Sequence, residues 1–269
     1  MTMKIAVAGK GGAGKTLITG TLAHLFAKNG YEVLAIDNDP SMNLALSIGI
    51  PPEVRATMTP ISKMSELLEE RTSAGPGTEG SGIYNVNPQV SDIPEQFIVL
   101  GPNGIKLLAL GTVEQPQSGC MCPGNAVIRA LLYNLFMKRN EVVLVDFEAG
   151  LEHLGRGTAK GVDLMVIVTE PSQKSWELSL QIASLAKGLD IKSLGVVFNK
   201  VHSAEQLATL TDQMSKDESL HLLGNIPLDE AVVEADLRGE SLYLSNPETP
   251  AVKAIEQVFG AILVLLQAE

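Results

Sequence analysis

From Gly9 to Thr16 the chain reads Gly-Lys-Gly-Gly-Ala-Gly-Lys-Thr, placing four glycines, two lysines and a hydroxyl in eight residues. Gly9, Gly11, Gly12 and Gly14, with the small Ala13 among them, let successive backbone N–H groups close around an oxyanion. A helix N-terminus behind the loop adds its positive end. Lys15 is then placed to reach the β- and γ-phosphates of a nucleotide, and the Thr16 hydroxyl to ligate Mg²⁺. Context makes this more than a glycine-rich turn: the apolar run 4–9 precedes it as a strand, and a helical pattern over 16–28 follows.

Two acidic residues sit where such a site needs them. "AIDNDPSMNLA" (35–45) ends an apolar run at Asp37-Asn38-Asp39-Pro40, and "LVDFEAG" (144–150) ends another at Asp146. A carboxylate beside a γ-phosphate orients the attacking water and contacts the Mg²⁺ shell, both requirements of phosphoryl transfer. Asp39 suits that position. Asp146 suits a carboxylate holding a Mg²⁺-bound water, with Gly150 as a pivot behind it. Strand-end carboxylates also serve as helix caps, but the carboxyl edge of a doubly wound sheet is where such folds bind ligands.

The only two cysteines, Cys120 and Cys122, lie one residue apart in "SGCMCPGNAV" (118–127). In an extended segment, residues two apart face the same side, so the two sulfurs can converge. Pro123 fits the first position of a helix, which puts Cys122 at the N-cap, where the dipole favours a thiolate. Two thiolates are too few for a closed tetrahedral metal site, whereas two chains about a twofold axis supply four. Four thiolates suit Zn²⁺, Ni²⁺ or an iron–sulfur cluster, and the donor set alone does not choose among them.

The second lysine of the loop, Lys10, gives the motif the form Lys-Gly-Gly-x-Gly-Lys-Thr. In this it resembles the deviant Walker A family of P-loop NTPases (SIMIBI class), which includes the nitrogenase iron protein and the MinD and ParA ATPases. The resemblance implies ATP or ADP with Mg²⁺ as ligands, and a homodimer in which Lys10 reaches the partner's nucleotide. Asp39 matches the family's switch I aspartate. It implies further that Asn199 of "VVFNK" (196–200) hydrogen-bonds the adenine, and that Lys200 and Pro227 also bind the nucleotide. Leu17 departs from the pattern, standing where many relatives carry a second hydroxyl for the α-phosphate.

"GCMCP" and "DFEAGLEHLGRGTAKGVDLMVIVTEPS" (146–172) narrow the resemblance to the CooC family of nickel-insertion ATPases, as do "SELLEERT" and "IPLDEAV". Membership would make Cys120 and Cys122 half of a Ni²⁺ or Zn²⁺ site shared across the dimer. The client would be apo carbon monoxide dehydrogenase or acetyl-CoA synthase. Gly124 stands where many relatives carry an acidic residue. His153, a lone loop histidine, reads as a hydrogen-bonding residue rather than a ligand. Glu152, His153 and Arg156 read as a link between nucleotide state and the cysteine segment or client.

The elements that must position these groups are legible as alternation. Runs at 4–9, 32–37, 141–147, 163–170 and 193–199 are short and apolar on both faces, as strands of a covered parallel sheet are, and 221–227 is a further candidate. Helical patterns fall at 16–28, 124–138, 173–187, 204–214 and 248–266. The expected fold is a doubly wound, mostly parallel α/β sheet flanked by helices on both faces, one P-loop domain over 1–269. Residues 51–118 break the rhythm and read as an insertion. That stretch opens with a short helix in "SKMSELLEERT", and "QFIVLGPNGIKLLALG" (96–111) reads as a hairpin turning at Pro-Asn-Gly. Trp176 is expected in or beside the core.

Composition limits the rivals. With 31 acidic against 20 basic residues, a net charge of −11, the chain has no cationic surplus for nucleic acid or anionic membrane. The apolar C-terminal run "VFGAILVLLQAE" is shorter than the roughly 20 residues of a bilayer span. No secretory signal is read at "MTMKIAVAGK", so a cytoplasmic protein is expected, with cysteines as ligands or reactive thiols. A MinD/ParA-type positioning ATPase would need a basic amphipathic tail or patch. An iron–sulfur electron-transfer ATPase like the nitrogenase iron protein remains compatible with four thiolates.

Overall fold

Strand β1 (Met3–Gly9) is buried along its whole length, flanked by parallel strands on both sides. The computed structural model describes residues 3–73, 85, 87–112, 123–138, 141–148 and 161–267. The other strands are β2 (Val33–Asn38), β3 (Val99–Leu100), β4 (Lys106–Ala109), β5 (Val142–Phe147), β6 (Leu164–Thr169), β7 (Ser193–Val201) and β8 (Leu220–Pro227). Among the described residues they form one eight-stranded sheet in the order β3-β4-β2-β5-β1-β6-β7-β8, parallel except for β3 against β4.

The helices in chain order are α1 (Lys15–Lys28), α2 (Asn43–Ile48), α3 (Pro52–Arg55), α4 (Ser65–Thr72), α5 (Ile93–Phe97), α6 (Pro123–Lys138), α7 (Gln173–Gly188), α8 (Ala204–Met214), α9 (Glu230–Arg238), α10 (Leu242–Ser245) and α11 (Pro250–Gln267). Alternation along the strands decides which layer each residue fills. Met3, Ile5 and Val7 of β1 enter the core beneath α1, α2 and α11, while Ala6 and Ala8 enter the one beneath α6, α7 and α8. Both faces of the sheet are therefore covered, which is why its strands read as continuous apolar runs.

Six strands and five long helices fall within two residues of the sequence expectation. The hairpin is present too, with Asn103 and Gly104 at positive φ in its turn. Its second strand, β4, also pairs in parallel with β2. The stretch from 51 to 118 thus supplies the last two strands of one sheet edge. Helices α2, α3, α5, α9 and α10 were not expected. They span four to nine residues, too few turns for a 3.6-residue period to stand out. Trp176 is buried, 6.5 Å from Phe198 between ring centroids.

The C-terminal run lies within a longer helix. Helix α11, at 18 residues, is long and apolar enough by length and composition to cross a membrane. It instead lays Val252, Ile255, Val258 and Ile262 into the core against β8 and α1.

Candidate functional site

The phosphate loop sits where β1 hands over to α1, at the carboxyl edge of the sheet, with β5 and β6 on either side. A doubly wound sheet opens its ligand crevice at such a place. Two glycines are required by space. A Cβ on Gly9 would lie 2.3 Å from the Val168 carbonyl oxygen of β6. A Cβ on Gly14 would lie 2.2 Å from Asn199 Nδ2, at a φ of +96° that side chains rarely adopt. Gly14 is also the N-cap of α1 and provides no side-chain acceptor, so the first-turn N–H groups remain available to an anion.

Within the loop, Lys15 Nζ donates to the Lys10 carbonyl oxygen at 3.2 Å. Lys15 is buried, and desolvation lowers its pKa against the opposing pull of Asp146, Asp39 and Glu148. Three carboxylates therefore face one ammonium, a charge pattern suited to a divalent cation and phosphate arriving together.

The Thr16 hydroxyl donates to Asp146 Oδ2 at 2.5 Å, while Asp146 Oδ1 is buried without a hydrogen-bond partner among the described residues. A buried carboxylate oxygen left unpaired is costly unless a cation or its water shell completes it. The hydroxyl, the carboxylate and the orphaned oxygen form a donor set of the kind that would suit a Mg²⁺ ion and its water shell. Burial pushes Asp146 up to about 7, against the lowering effect of Thr16 and Lys15.

Asp39 lies at the rim of the same cleft, where its carboxylate accepts from Ser41 N at 2.9 Å and from the Ser41 hydroxyl. The residue that organises this turn is one the sequence reading passed over. Asp37 is buried at the end of β2, its Oδ1 accepting from Asp39 N at 3.1 Å and its Oδ2 from Leu44 N at 2.9 Å. Its carbonyl also accepts from Leu110 and Gly111, so it ties the segment holding Asp39 to α2 and to the end of β4.

On the other flank, the ladder between β7 and β8 slips between Phe198 and Val201, and Lys200 takes a left-handed φ of 59°. This irregularity turns two side chains toward the loop. Asn199 Nδ2 donates to Ala13 O at 2.6 Å, and Asn199 Oδ1 accepts from Lys200 N at 2.9 Å. That leaves one N–H and one lone pair on the Asn199 amide. Lys200 Nζ donates to Gly12 O at 2.6 Å and to Glu170 Oε1 at 2.7 Å. Glu170 Oε2 is 3.8 Å from Lys10 Nζ. Glu170 and Glu148 were also missed as site residues. Their signal was that each stands at a strand's carboxyl end.

These residues bound a cleft of about 750 Å³. Gly12, Lys15 and Thr16 of the loop line it, together with Leu17, Leu46, Asn199 and Pro227. The far wall is α9, where Asp229 accepts from Ala231 N with one oxygen and from Ala251 N of α11 with the other. Helix α6 begins at Pro123, as expected. Cys120, Cys122, Gly150, Glu152, His153 and Arg156 lie outside the described residues.

A phosphate loop on the central strand, with carboxylates closing over it from β2 and β5, defines a P-loop nucleotide-binding protein of the MinD/ParA kind. Residues 4–242 match the model of the CobQ/CobB/MinD/ParA nucleotide binding domain, and the chain belongs to that family. The fold agrees with that of MinD from Pyrococcus horikoshii complexed with Mg-ADP, at a TM-score of 0.70 and 20% identity over 99% of this chain and 98% of that one. Sequence narrows the family. The chain is 47% identical over 246 residues, 91% of each chain, to the carbon monoxide dehydrogenase accessory protein CooC of Rhodospirillum rubrum. It is 43% identical over 263 residues, 98% of each chain, to an uncharacterized ATP-binding protein of Methanocaldococcus jannaschii. Within the MinD/ParA-like superfamily it is a CooC-family ATPase.

Proposed function

We propose that this protein is an accessory ATPase of carbon monoxide dehydrogenase, or of acetyl-CoA synthase, that delivers nickel as its cargo. The observation that carries the ATPase reading is the Thr16–Asp146 hydrogen bond beside an orphaned Asp146 oxygen, at the foot of an uncapped helix. The accessory role is supported by 47% identity to CooC across nine-tenths of the chain.

ATP enters the cleft with its phosphates on the backbone N–H groups of residues 9–16 and its base between Asn199 and Pro227. Lys15 exchanges the Lys10 carbonyl for phosphate oxygens. Mg²⁺, held by Thr16 and through water by Asp146, supplies charge neutralisation at the β- and γ-phosphates. Asp39 orients the attacking water, and Asp37 keeps Asp39 in place. Two chains close face to face, Lys10 of each reaching the other's nucleotide. Cys120 and Cys122 of both chains then provide four thiolates for the metal. Hydrolysis relaxes the interface and releases the cargo. Because a ligand shifts such an equilibrium only by its differential affinity, metal and ATP must each strengthen the other's hold on the dimer.

Metal analysis joined to gel filtration, with ADP and with ATP, tests this reading. The expected result is one Ni²⁺ or Zn²⁺ per dimer, lost in Cys120→Ser/Cys122→Ser. Unchanged stoichiometry in that variant overturns the metal assignment. A brown protein rich in iron and sulfide after anaerobic purification would replace delivery by electron transfer. Failure to raise nickel-dependent activity of apo carbon monoxide dehydrogenase or apo acetyl-CoA synthase overturns the client assignment.

A further inference from the structure

At the rim of the phosphate loop one carboxylate serves two lysines. Glu170 directly follows β6, and two backbone hydrogen bonds hold it in a turn that is itself pinned by the cap of α7. Its N–H donates to Ser175 Oγ at 3.0 Å, its carbonyl accepts from Ser172 N at 2.7 Å, and Ser172 caps α7 by accepting from Ser175 N. The carboxylate is thus presented by rigid elements rather than by a free loop.

Its two partners are held unequally. Lys200 reaches Oε1 at 2.7 Å and also donates to the Gly12 carbonyl at 2.6 Å. Lys10 lies 3.8 Å from Oε2, its side chain 42% exposed, and its ammonium makes no hydrogen bond among the described residues. Lys200 is a resident of this cluster, and Lys10 is free to leave. Removing Lys10 turns a group with one net positive charge into a neutral pair, so the departure strands no charge.

We infer that Glu170 is a positioning residue that parks Lys10 against its own chain until the lysine is taken up at a second chain's nucleotide. The inference rests on the reading of Lys10 as a residue acting across the dimer. Glu170 then opposes dimerisation, and Lys200 keeps that opposition weak by sharing the carboxylate. An exposed pair of this kind holds its partner by roughly threefold. Both chains of a twofold dimer release one lysine, so the factor enters squared, at about tenfold.

The test is the dimer dissociation constant of the full chain at saturating Mg-AMPPNP, where differences in nucleotide affinity drop out. Glu170→Gln is expected to tighten the dimer about tenfold, and Glu170→Asp, which keeps the charge but shortens its reach, by less. In the nucleotide-free protein, acylation of the Lys10 amine read by peptide mass spectrometry should rise about threefold in Glu170→Gln. That readout would not move if Glu170 merely supported the fold. A wild-type dimer with no tightening in either variant overturns the parking role alone. A wild-type chain that stays monomeric under Mg-AMPPNP overturns the dimer reading and this inference together.

Discussion

Asp37 and Asp146 are register partners on adjacent parallel strands, β2 and β5, and both carboxylates are buried. Burial and the nearby Asp146 charge push Asp37 up to about 8. The sheet thus brings two acids side by side under the phosphate loop, an arrangement unfavourable when both are ionised and suited to a site completed by a cation.

The sign of the pH dependence follows. Asp37 and Asp146 titrate near 3.8 when unfolded, and their folded values are raised to about 8 and about 7. Each stabilises the fold most below the unfolded value, and that contribution is lost as pH rises through the folded one. Nucleotide-free protein in chelator should therefore lose thermal stability from this pair between about pH 4 and 8. Asp146→Asn should flatten the slope, and Mg-ATP should reverse the loss in the wild type. Calorimetry at several pH values checks it. The same variant should lower the single-turnover ATPase rate by roughly 100- to 1000-fold.

His24 carries the opposite sign. Its ring is inaccessible to solvent, with Nε2 2.9 Å from the Ile48 carbonyl, Nδ1 3.0 Å from the Asn103 amide, and a face stacked on Tyr243. Burial lowers its pKa from 6.5 to about 4. The stability this gives is present above pH 6.5 and is lost as pH falls toward 4, by about 3 kcal/mol in all. Denaturant titrations at pH 7 and pH 4.5 should show this loss in the wild type and a smaller one in His24→Gln.

Gly14→Ala should damage the site more than the fold. The added methyl meets Asn199 Nδ2 and the φ is unfavourable, so the strut from Asn199 to Ala13 must give way. Nucleotide affinity should fall by roughly tenfold or more, and stability by about 1 kcal/mol. Fluorescent-nucleotide titration beside thermal unfolding separates the two effects.

Asp229→Ala removes acceptors for the first turns of two helices, α9 and α11. At about 1 kcal/mol per cap, the loss should approach 2 kcal/mol in urea unfolding. Because α9 walls the cleft, a weaker hold on nucleotide should accompany it, whereas Asp229→Asn should restore part of both.

Much of this molecule is written locally. Strands buried on both faces must be apolar throughout, so β1, β2, β5, β6 and β7 declare themselves without knowledge of their neighbours. The phosphate loop is contiguous, and its glycines, lysines and threonine need only the strand before and the helix after. Pro123 marks a helix start because proline lacks the N–H that a first helical residue does not use. Even α9, unread by periodicity, carried its bounds as capping chemistry in Asp229 and Gly239.

What the order of strands decided could not be read that way. Thr16 and Asp146 are 130 residues apart, and Lys200 and Gly12 are 188 apart. They meet because β5 and β6 flank β1, and because a slipped ladder at Asn199 and Lys200 turns both toward the loop. Glu170 looked like one acid among many until β6 ended beside Lys10. Asp37 looked like the lesser neighbour of Asp39 until its register with Asp146 was known. Local composition settles which segments become strands and which loop binds phosphate. Which strand ends converge depends on the packing of two helical layers over one sheet, a nonlocal competition that no single segment records.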